Sequence, residues 1–287
     1  MRNGGFVIED MPDGRTLVVT GPWTPKAERA LGRADVDGVW LNYARGFAEP
    51  DLSFVREWPI RRLLVLDRKL TDLSSLARLG GTLEKLSLQA APGAEVDLAT
   101  LPHLTSLAAG WDEVRNTLHG PEALKEIVVL EYDEIDLQPL AVQPSLEHIN
   151  LKAAPRVESL YGLDQFALRQ LQVALARELE DIDSLVHARG LNELAFETCL
   201  GLYDIEALGE LAQLRFLGIS DCGRIPSLGP LANLTELECL YAWGSTRVED
   251  GDLSPLLRLP RLKEIRMRDR REYRPRVSEV VETLAAR

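Results

Sequence analysis

The side chains best suited to chemistry in this sequence are carboxylates gathered in three short segments. Clustered carboxylate oxygens are the ligands that calcium and magnesium prefer in proteins. None of the three segments has the glycine-containing spacing of a calcium-binding loop. The sequence therefore predicts no metal site and no cofactor at these segments, which are Asp133/Glu134/Asp136, Glu180/Asp181/Asp183 and Glu249/Asp250/Asp252.

The four histidines and three cysteines form no catalytic pattern. The sequence lacks a His-Glu-x-x-His helix, a Cys-x-x-Cys pair, a glycine-rich phosphate loop and a Gly-x-Ser-x-Gly turn. An odd number of cysteines without paired spacing also argues against a disulfide framework and for a reducing compartment. The N-terminus has no apolar run long enough for a signal peptide. We therefore predict a cytoplasmic protein that is not an enzyme.

A repeat spans most of the chain and contains many of these carboxylates and thiols. The apolar phrase Leu-x-x-Leu-x-Leu recurs about eleven times between Val36 and Met267, at a spacing of 20 to 28 residues. This phrase at this period is typical of a leucine-rich repeat, in which each unit is a strand plus a return segment. We expect an α/β leucine-rich repeat solenoid, a horseshoe with a concave parallel β-sheet and short helical or 3-10 returns on its convex side. The tenth phrase is read as Leu234/Leu237/Cys239, which places Cys239 in the core.

A second phrase, Asp-Leu-x-x-Leu or a close variant, follows the strands. Its first residue offers an oxygen to the free N–H groups of a helical first turn. We expect this capping role to account for the recurring polar residue of each return, namely Asp51, Asp72, Asp97, Thr117, Asp136, Ser159, Asp181, Asp204, Ser227 and Asp252.

The combined pattern resembles the internalin type of leucine-rich repeat, a bacterial family, over residues 36 to 267. It departs from that family because the usual Asn position after the strand is held by residues such as Tyr132, Cys199 and Cys222, and because no secretion or anchoring segment is visible. The resemblance implies a solenoid with a binding role.

The ends of the chain predict caps for the open ends of the solenoid. Two apolar runs flank Asp13-Gly14, which indicates a hairpin, and Thr24 to Gly32 bracket a short helix, Pro25 to Leu31. At the other end, Val277, Val280, Val281 and Leu284 recur at helical spacing. The predicted domains are an N-terminal cap, 1–33, the repeats, 34–272, and a C-terminal capping helix, 273–287.

Charge is spread unevenly along the chain. The net charge is −12, yet residues 258–276 contain nine basic side chains against three acidic ones. The acidic body opposes nucleic-acid binding, and no apolar stretch is long enough for a membrane helix. The basic edge, 258–276, leaves self-association with the acidic face of a second copy as an alternative.

The residues between the repeat leucines should face solvent on the concave side, because alternate strand residues point to opposite faces. Carboxylates and aromatic side chains concentrate there and at the adjoining rim. We predict a partner-binding set for a basic protein or peptide, comprising Glu193, Glu197, Phe216, Asp221, Glu236, Glu238, Leu240, Tyr241, Trp243, Trp111 and Tyr132. A secondary apolar patch is predicted at Trp40, Leu64 and Leu66.

Three functions fit these observations. The first is a non-catalytic protein-binding module that acts as an inhibitor, immunity protein or adaptor. The second is a pocket for a peptide or small ligand at the secondary patch near the N-terminal cap. The third is a self-associating structural protein.

Overall fold

The computed structural model describes residues 5–32 and 35–287. Their contacts divide the chain into two compact units, Met1–Val128 and Val129–Arg287. Residues 1–4 of the predicted cap, and the predicted cap boundary at residues 33 and 34, lie outside the described residues.

The first unit contains a hairpin followed by parallel strands. The strands are hydrogen-bonded in chain order; the first pair is antiparallel, and each later neighbour is parallel. They are β1 (Phe6–Met11), β2 (Gly14–Val19), β3 (Gly38–Asn42), β4 (Arg62–Leu66), β5 (Lys85–Gln89) and β6 (Ser106–Gly110), while β7 (Glu126–Leu130) contains the border between the units. The helices are α1 (Pro25–Leu31) and α2 (Trp111–Val114), with 3-10 helices at Tyr43–Arg45, Ser74–Leu79 and Leu98–Thr100.

The hairpin and α1 precede the first repeat strand. Gly14 has a φ of +122°, a backbone conformation that glycine adopts without a steric cost. The Thr24 hydroxyl accepts a hydrogen bond from the Ala27 N–H at 3.3 Å, and Pro25 occupies the start of α1, where a missing N–H costs no helical bond. Strand β2 pairs with β3, so the first repeat strand has no open edge on that side.

The second unit repeats the strand-and-return order. The larger sheet of this unit has its strands in the order β8-β9-β10-β11-β13-β15, and the two short strands β12 and β14 pair separately. The strands are β8 (His148–Leu151), β9 (Gln170–Ala174), β10 (Glu193–Glu197), β11 (Phe216–Ser220), β12 (Arg224–Ile225), β13 (Cys239–Ala242), β14 (Arg247–Val248) and β15 (Glu264–Met267). The helices are α3 (Ser254–Leu257) and α4 (Val277–Ala285), with 3-10 helices at Gln138–Val142, Leu163–Gln165, Asp183–His187, Glu206–Glu210 and Gly229–Asn233.

The repeat leucines form the core of each unit. In the second unit Leu171, Leu194, Leu217 and Leu240 stand opposite one another on neighbouring strands and are buried. The eleven repeat strands predicted from the sequence are present among the described residues as β3–β11, β13 and β15. The prediction of a leucine-rich repeat solenoid with a parallel sheet and short helical returns is confirmed. Helix α4 buries Val277, Val280 and Leu284 and exposes Val281.

The predicted caps of the return segments are confirmed at nine of ten positions. In each of the nine, the side-chain oxygen accepts a hydrogen bond from the N–H two residues later, at 2.8 to 3.1 Å. Thr117 is the exception, because its hydroxyl donates to the Val96 carbonyl oxygen at 2.6 Å. Hydrogen bonds from Ser53 lower the pKa of Asp51 below its ordinary value. The recurring Asp and Ser side chains therefore stabilise the return segments.

The tenth repeat has a different register from the one predicted. Leu240 pairs with Leu217 and Ile265 and is 0 % exposed, whereas Cys239 stands beside Phe216 and is partly exposed. The core phrase of this repeat is therefore Leu237/Leu240/Ala242. The predictions that Leu240 binds a partner and that Cys239 lies in the core are therefore wrong. The observed register is shifted by three residues from the predicted one, and an odd shift exchanges the two faces of a strand.

Candidate functional site

The strand face of the second unit that lies opposite the leucine core carries three rows of residues from β9 to β15. Each row runs across neighbouring strands, because the parallel register aligns equivalent positions of successive repeats. We call this surface the partner face. Its first row is Gln170, Glu193, Phe216, Cys239 and Glu264; its second row is Gln172, Ala195, Gly218, Tyr241 and Arg266; its third is Ala174, Glu197 and Ser220, with Trp243 following β13.

Tyr241 is held in place at the centre of the partner face. Its ring meets the ring of Phe216 edge-on, with centroids 5.1 Å apart. The Arg266 guanidinium lies 4.5 Å from the Tyr241 ring centroid. The Tyr241 hydroxyl donates to Glu264 Oε1 at 3.1 Å, and Arg266 Nε donates to the same oxygen at 2.7 Å. The hydrogen bond from Arg266 lowers the pKa of Glu264. An aromatic group held in this way loses little conformational freedom when a partner binds.

A glycine lets the aromatic pair pack closely against the strand face. Gly218 stands opposite Tyr241 on the next strand and opposite Ala195 on the other side. A Cβ at Gly218 would lie 3.2 Å from the Ala195 Cβ and 3.5 Å from Phe216 Cε1. Gly218 is buried, and its lack of a side chain lets the Phe216 ring lie against the second row beside Ala195.

Two carboxylates and an exposed indole complete the partner face. Trp243 is 58 % exposed, and its backbone N–H donates to the Ser220 hydroxyl at 3.4 Å. Glu193 and Glu197 lie on either side of Ala195 along β10. Within the described part of the chain, neither of these two carboxylates forms an ion pair or a side-chain hydrogen bond. They are free to meet a cationic group.

Asp221 has a structural role next to this face. It lies one residue past β11 with a φ of +56°, and its Oδ1 accepts a hydrogen bond from the Ser245 N–H at 2.8 Å. A Cβ at Gly244 would meet Asp221 Oδ1 at 2.1 Å, so the carboxylate packs against that backbone. Asp221 thus fixes the turn that follows Trp243.

The prediction that Glu236 and Glu238 belong to an acidic patch on the partner face is wrong. Glu236 and Glu238 precede β13 and do not lie on its solvent-facing row. Glu236 pairs with Arg261, while Glu238 accepts hydrogen bonds from Lys263 Nζ at 2.8 Å and Arg215 Nε at 2.8 Å. The hydrogen bonds from Lys263 and then Arg215 lower the pKa of Glu238 to about 2. The chain's own basic edge therefore neutralises both carboxylates.

Two aromatic residues predicted at the rim are buried. Trp111 is the first residue of α2 and is 2 % exposed. Tyr132 is 0 % exposed, and its hydroxyl donates to the Asp136 carbonyl oxygen at 2.7 Å. Burial raises the pKa of Tyr132. The prediction that these side chains anchor a partner is wrong, because both fill the interior where the strand turns into its return.

The secondary patch forms part of a groove in the first unit. Trp40 and Leu64 stand on adjacent strands and line a groove of about 360 Å³, together with Met11 and Pro12 of the hairpin turn. Leu66 lies on the same strand as Leu64, outside the groove. Arg62 and Lys85 also line it, and sequence reasoning missed them. The apolar Met11-Pro12 pair beside Asp13-Gly14 is the signal that could have placed the hairpin over this face.

The arrangement of potential catalytic groups argues against familiar nucleophile chemistry. His148 lies on β8 opposite Gln170, in line with the first row, but three strands separate it from Cys239, roughly 19 Å at about 4.8 Å per strand. Burial and Glu264 raise the pKa of Cys239, which disfavours its thiolate. Cys199 and Cys222 are buried, and a hydrogen bond with Cys222 together with burial raises the pKa of Cys199. Across residues 5–32 and 35–287, no three His, Cys, Asp or Glu residues form a group able to hold a metal ion.

Comparisons with known proteins place the chain among leucine-rich repeat folds. An internalin (inlF) from Listeria monocytogenes is 17% identical, with a TM-score of 0.56, and the match covers 74% of this chain and 68% of that one. An internalin C2 (inlC2) from the same organism is 21% identical with a TM-score of 0.39, covering 69% of this chain and 77% of that one. The first similarity shows that the fold is that of the internalin repeats.

Sequence comparison gives a local match. "Disease resistance protein RPP2A" from Arabidopsis thaliana is 33% identical over 92 residues, which are 31% of this chain and 7% of that protein. The match thus covers a small part of that relative's length. No family model matches the chain. Among the helices in the described ranges, none is long and apolar enough to cross a bilayer.

Proposed function

We propose that the protein is a non-catalytic module that binds a protein partner through the partner face of the second unit. One observation carries this proposal: a fixed aromatic pair, Phe216 and Tyr241, lies beside an exposed Trp243 on a solvent-facing sheet. Aromatic side chains of this kind dominate the energetics of protein interfaces. The leucine core does not require them, since their side chains point to the opposite face of the strands.

The partner in this proposal carries basic side chains. Among the described residues, Glu193 and Glu197 have no side-chain partner, whereas Asp221, Glu238 and Glu264 each have one within the chain. A lysine or arginine of the partner would lie over Ala195, with its stem against Phe216 and its charge beside Glu193 or Glu197. A net charge of −12 would also speed encounter with a basic protein.

We assign the module to the inhibitors, immunity proteins or adaptors, and its location to the cytoplasm, where three free cysteines stay reduced. Residues 1–33 and 273–287 act as caps of the repeats at 34–272. Self-association through the basic edge is a weaker candidate, because Arg261, Lys263, Arg266 and Arg276 already have acidic partners within the chain.

Recovery of the partner with purified variants tests the proposal. Tagged protein is purified from its native source, co-purifying proteins are identified, and the affinity of a purified candidate is measured. Replacing Phe216 and Tyr241 with alanine should weaken binding by at least about 2 kcal/mol, as expected for aromatic anchors. The matched control is Tyr161→Ala with Tyr203→Ala, two tyrosines exposed on the return segments. Equal binding by both double variants would refute the assignment of this face.

A further inference from the structure

The groove of the first unit combines an apolar row with a cationic row. Trp40 on β3 and Leu64 on β4 are neighbours. Two residues before them lie Gly38 on β3 and Arg62 on β4. On β5 the equivalent residue to Arg62 is Lys85. The two rows are about 6.6 Å apart, because residues i and i+2 of a strand are separated by that distance. The hairpin turn at Met11 and Pro12 forms a wall of the groove.

Arg62 is buried and has hydrogen-bonding capacity to spare. It is 7 % exposed; its Nη2 donates to Asp37 Oδ1 at 2.7 Å and to the Thr16 hydroxyl at 3.4 Å. A Cβ at Gly38 would lie 3.2 Å from Arg62 Nη2, so glycine leaves the room that the guanidinium occupies. Its Nε–H is buried and has no acceptor among residues 5–32 and 35–287. Since a buried donor without an acceptor is unfavourable, a ligand oxygen that reaches it would be stabilised.

Lys85 is the exposed cation of the groove. Its Nζ lies 3.3 Å from Asp13 Oδ2 of the hairpin turn, and both side chains are largely exposed. An exposed ion pair of this kind is weak, so Asp13 can be exchanged for another carboxylate. The Lys85 ammonium has three donors, of which Asp13 takes one.

We propose that this groove binds the free C-terminal carboxylate of a peptide whose last residue has an apolar side chain. The carboxylate lies against Lys85 and Arg62, and the terminal side chain lies on Leu64 and Trp40. A C-terminal residue suits this arrangement because it carries an anionic group and an apolar side chain on one carbon atom, and the cationic and apolar rows adjoin each other on the same strands. The groove volume of about 360 Å³ matches the lower end of known ligand sites.

The charge balance favours a carboxylate over a phosphate. Arg62 is already paired with Asp37, and Lys85 with Asp13, so the groove and its partners are neutral together. At the far edge, Glu126 accepts a hydrogen bond from the Ser106 hydroxyl at 3.0 Å and adds a negative charge. A ligand with one negative charge can replace Asp13 on Lys85 while the exposed Asp13 side chain turns to solvent, so the number of charges in the groove stays the same; a dianion would add one more negative charge. This inference concerns the first unit alone and is independent of the partner face.

Calorimetric titration with two short peptides tests the inference. The probes are acetyl-Gly-Ala-Leu with a free carboxylate and the same peptide with a C-terminal amide. The acid should bind about tenfold more tightly or better, because a charge-assisted hydrogen bond contributes roughly that factor. Equal affinity of the acid and amide, or no binding of the acid at millimolar concentration, would overturn the proposal.

Substitutions with opposite expected signs locate the carboxylate. Lys85→Gln should weaken binding of the acid about tenfold, since it removes the exposed charge. Asp13→Asn should strengthen it, because it removes the competing carboxylate and asparagine still tolerates the turn. The control Arg68→Gln removes an exposed cation outside the groove and should leave the affinity unchanged. Weaker binding by Asp13→Asn would indicate a cation site and contradict the proposal.

Discussion

The register of β13 makes a quantitative prediction about two adjacent residues. Leu240 is 0 % exposed and lies between Leu217 and Ile265, while Cys239 is partly exposed on the partner face. Leu240→Ala removes three carbon atoms, worth about 2.4 kcal/mol of transfer free energy at roughly 0.8 kcal/mol each. The cavity left in a packed core raises the cost to about 3–5 kcal/mol. Cys239→Ala should cost less than about 1 kcal/mol, since it removes a single partly exposed atom.

Urea unfolding of the two variants measures this difference. Far-ultraviolet circular dichroism reports the loss of sheet and helix, and the shift of the midpoint at constant slope gives the change in free energy of unfolding. Native-state hydrogen exchange of β11, β13 and β15 adds a local readout, because a repeat array can open in parts. A larger loss of stability in Cys239→Ala than in Leu240→Ala would refute the register and the three rows derived from it.

Three further predictions concern thiols, caps and pH. A thiol reagent added to the native protein should react with Cys239 alone, and slowly, because burial and nearby carboxylates raise the pKa of its thiol. Cys199 and Cys222 are buried and should react only after unfolding, so rapid reaction of all three thiols would contradict the packing. Asp204→Ala should lower the free energy of unfolding by about 1 kcal/mol, since the return loses its cap, and Asp204→Asn should retain most of it, a ranking that denaturant unfolding can test. Glu238 has a pKa of about 2 in the folded protein, below its ordinary 4.5, so its stabilising contribution is complete above pH 4.5 and is lost as the pH falls through about 2. Glu238→Gln should therefore reduce the dependence of the free energy of unfolding on pH between about 4.5 and 2. An unchanged pH dependence in this range would contradict the ion pairs.

The period of the apolar phrase was sufficient to predict the strands, the returns and most of the caps. Each repeat leucine must be buried against its neighbours, so its spacing reports the strand directly. The cap residues could also be predicted from the sequence, because a side-chain oxygen just before a short helix commonly accepts a hydrogen bond from the N–H groups of its first turn. These features depend on local sequence and on contacts with the adjacent repeat.

The tenth repeat shows where the phrase is ambiguous. Leu234, Leu237 and Leu240 are three residues apart, so two registers satisfy the same pattern. The observed register gives spacings of 23 residues from Leu217 to Leu240 and 25 from Leu240 to Ile265. The predicted one gives 20 and 28, the two extremes of the whole array. The register with the more regular repeat spacing is therefore the observed one.

The errors at the candidate site arose from contacts that the sequence does not display. Tyr132 occupies the position after the strand where leucine-rich repeats usually carry asparagine, and its hydroxyl donates a hydrogen bond to the Asp136 carbonyl oxygen. The burial of Tyr132 follows from this position in the repeat, whereas the partners of Glu236 and Glu238 do not. The ion pairs of Glu236 and Glu238 join residues about 23 to 25 positions apart, on neighbouring repeats. Only the observed register brings these charges together.

Site-specific photocross-linking tests the central claim of a partner face most directly. The photoreactive residue p-benzoyl-phenylalanine is placed at Trp243 or, as a matched control, at Tyr161 on a return segment; these side chains are 58 % and 59 % exposed. On irradiation with the native partner, position 243 should form one discrete adduct that Phe216→Ala reduces, and position 161 should form none. An adduct at position 161 with none at position 243 would contradict the account.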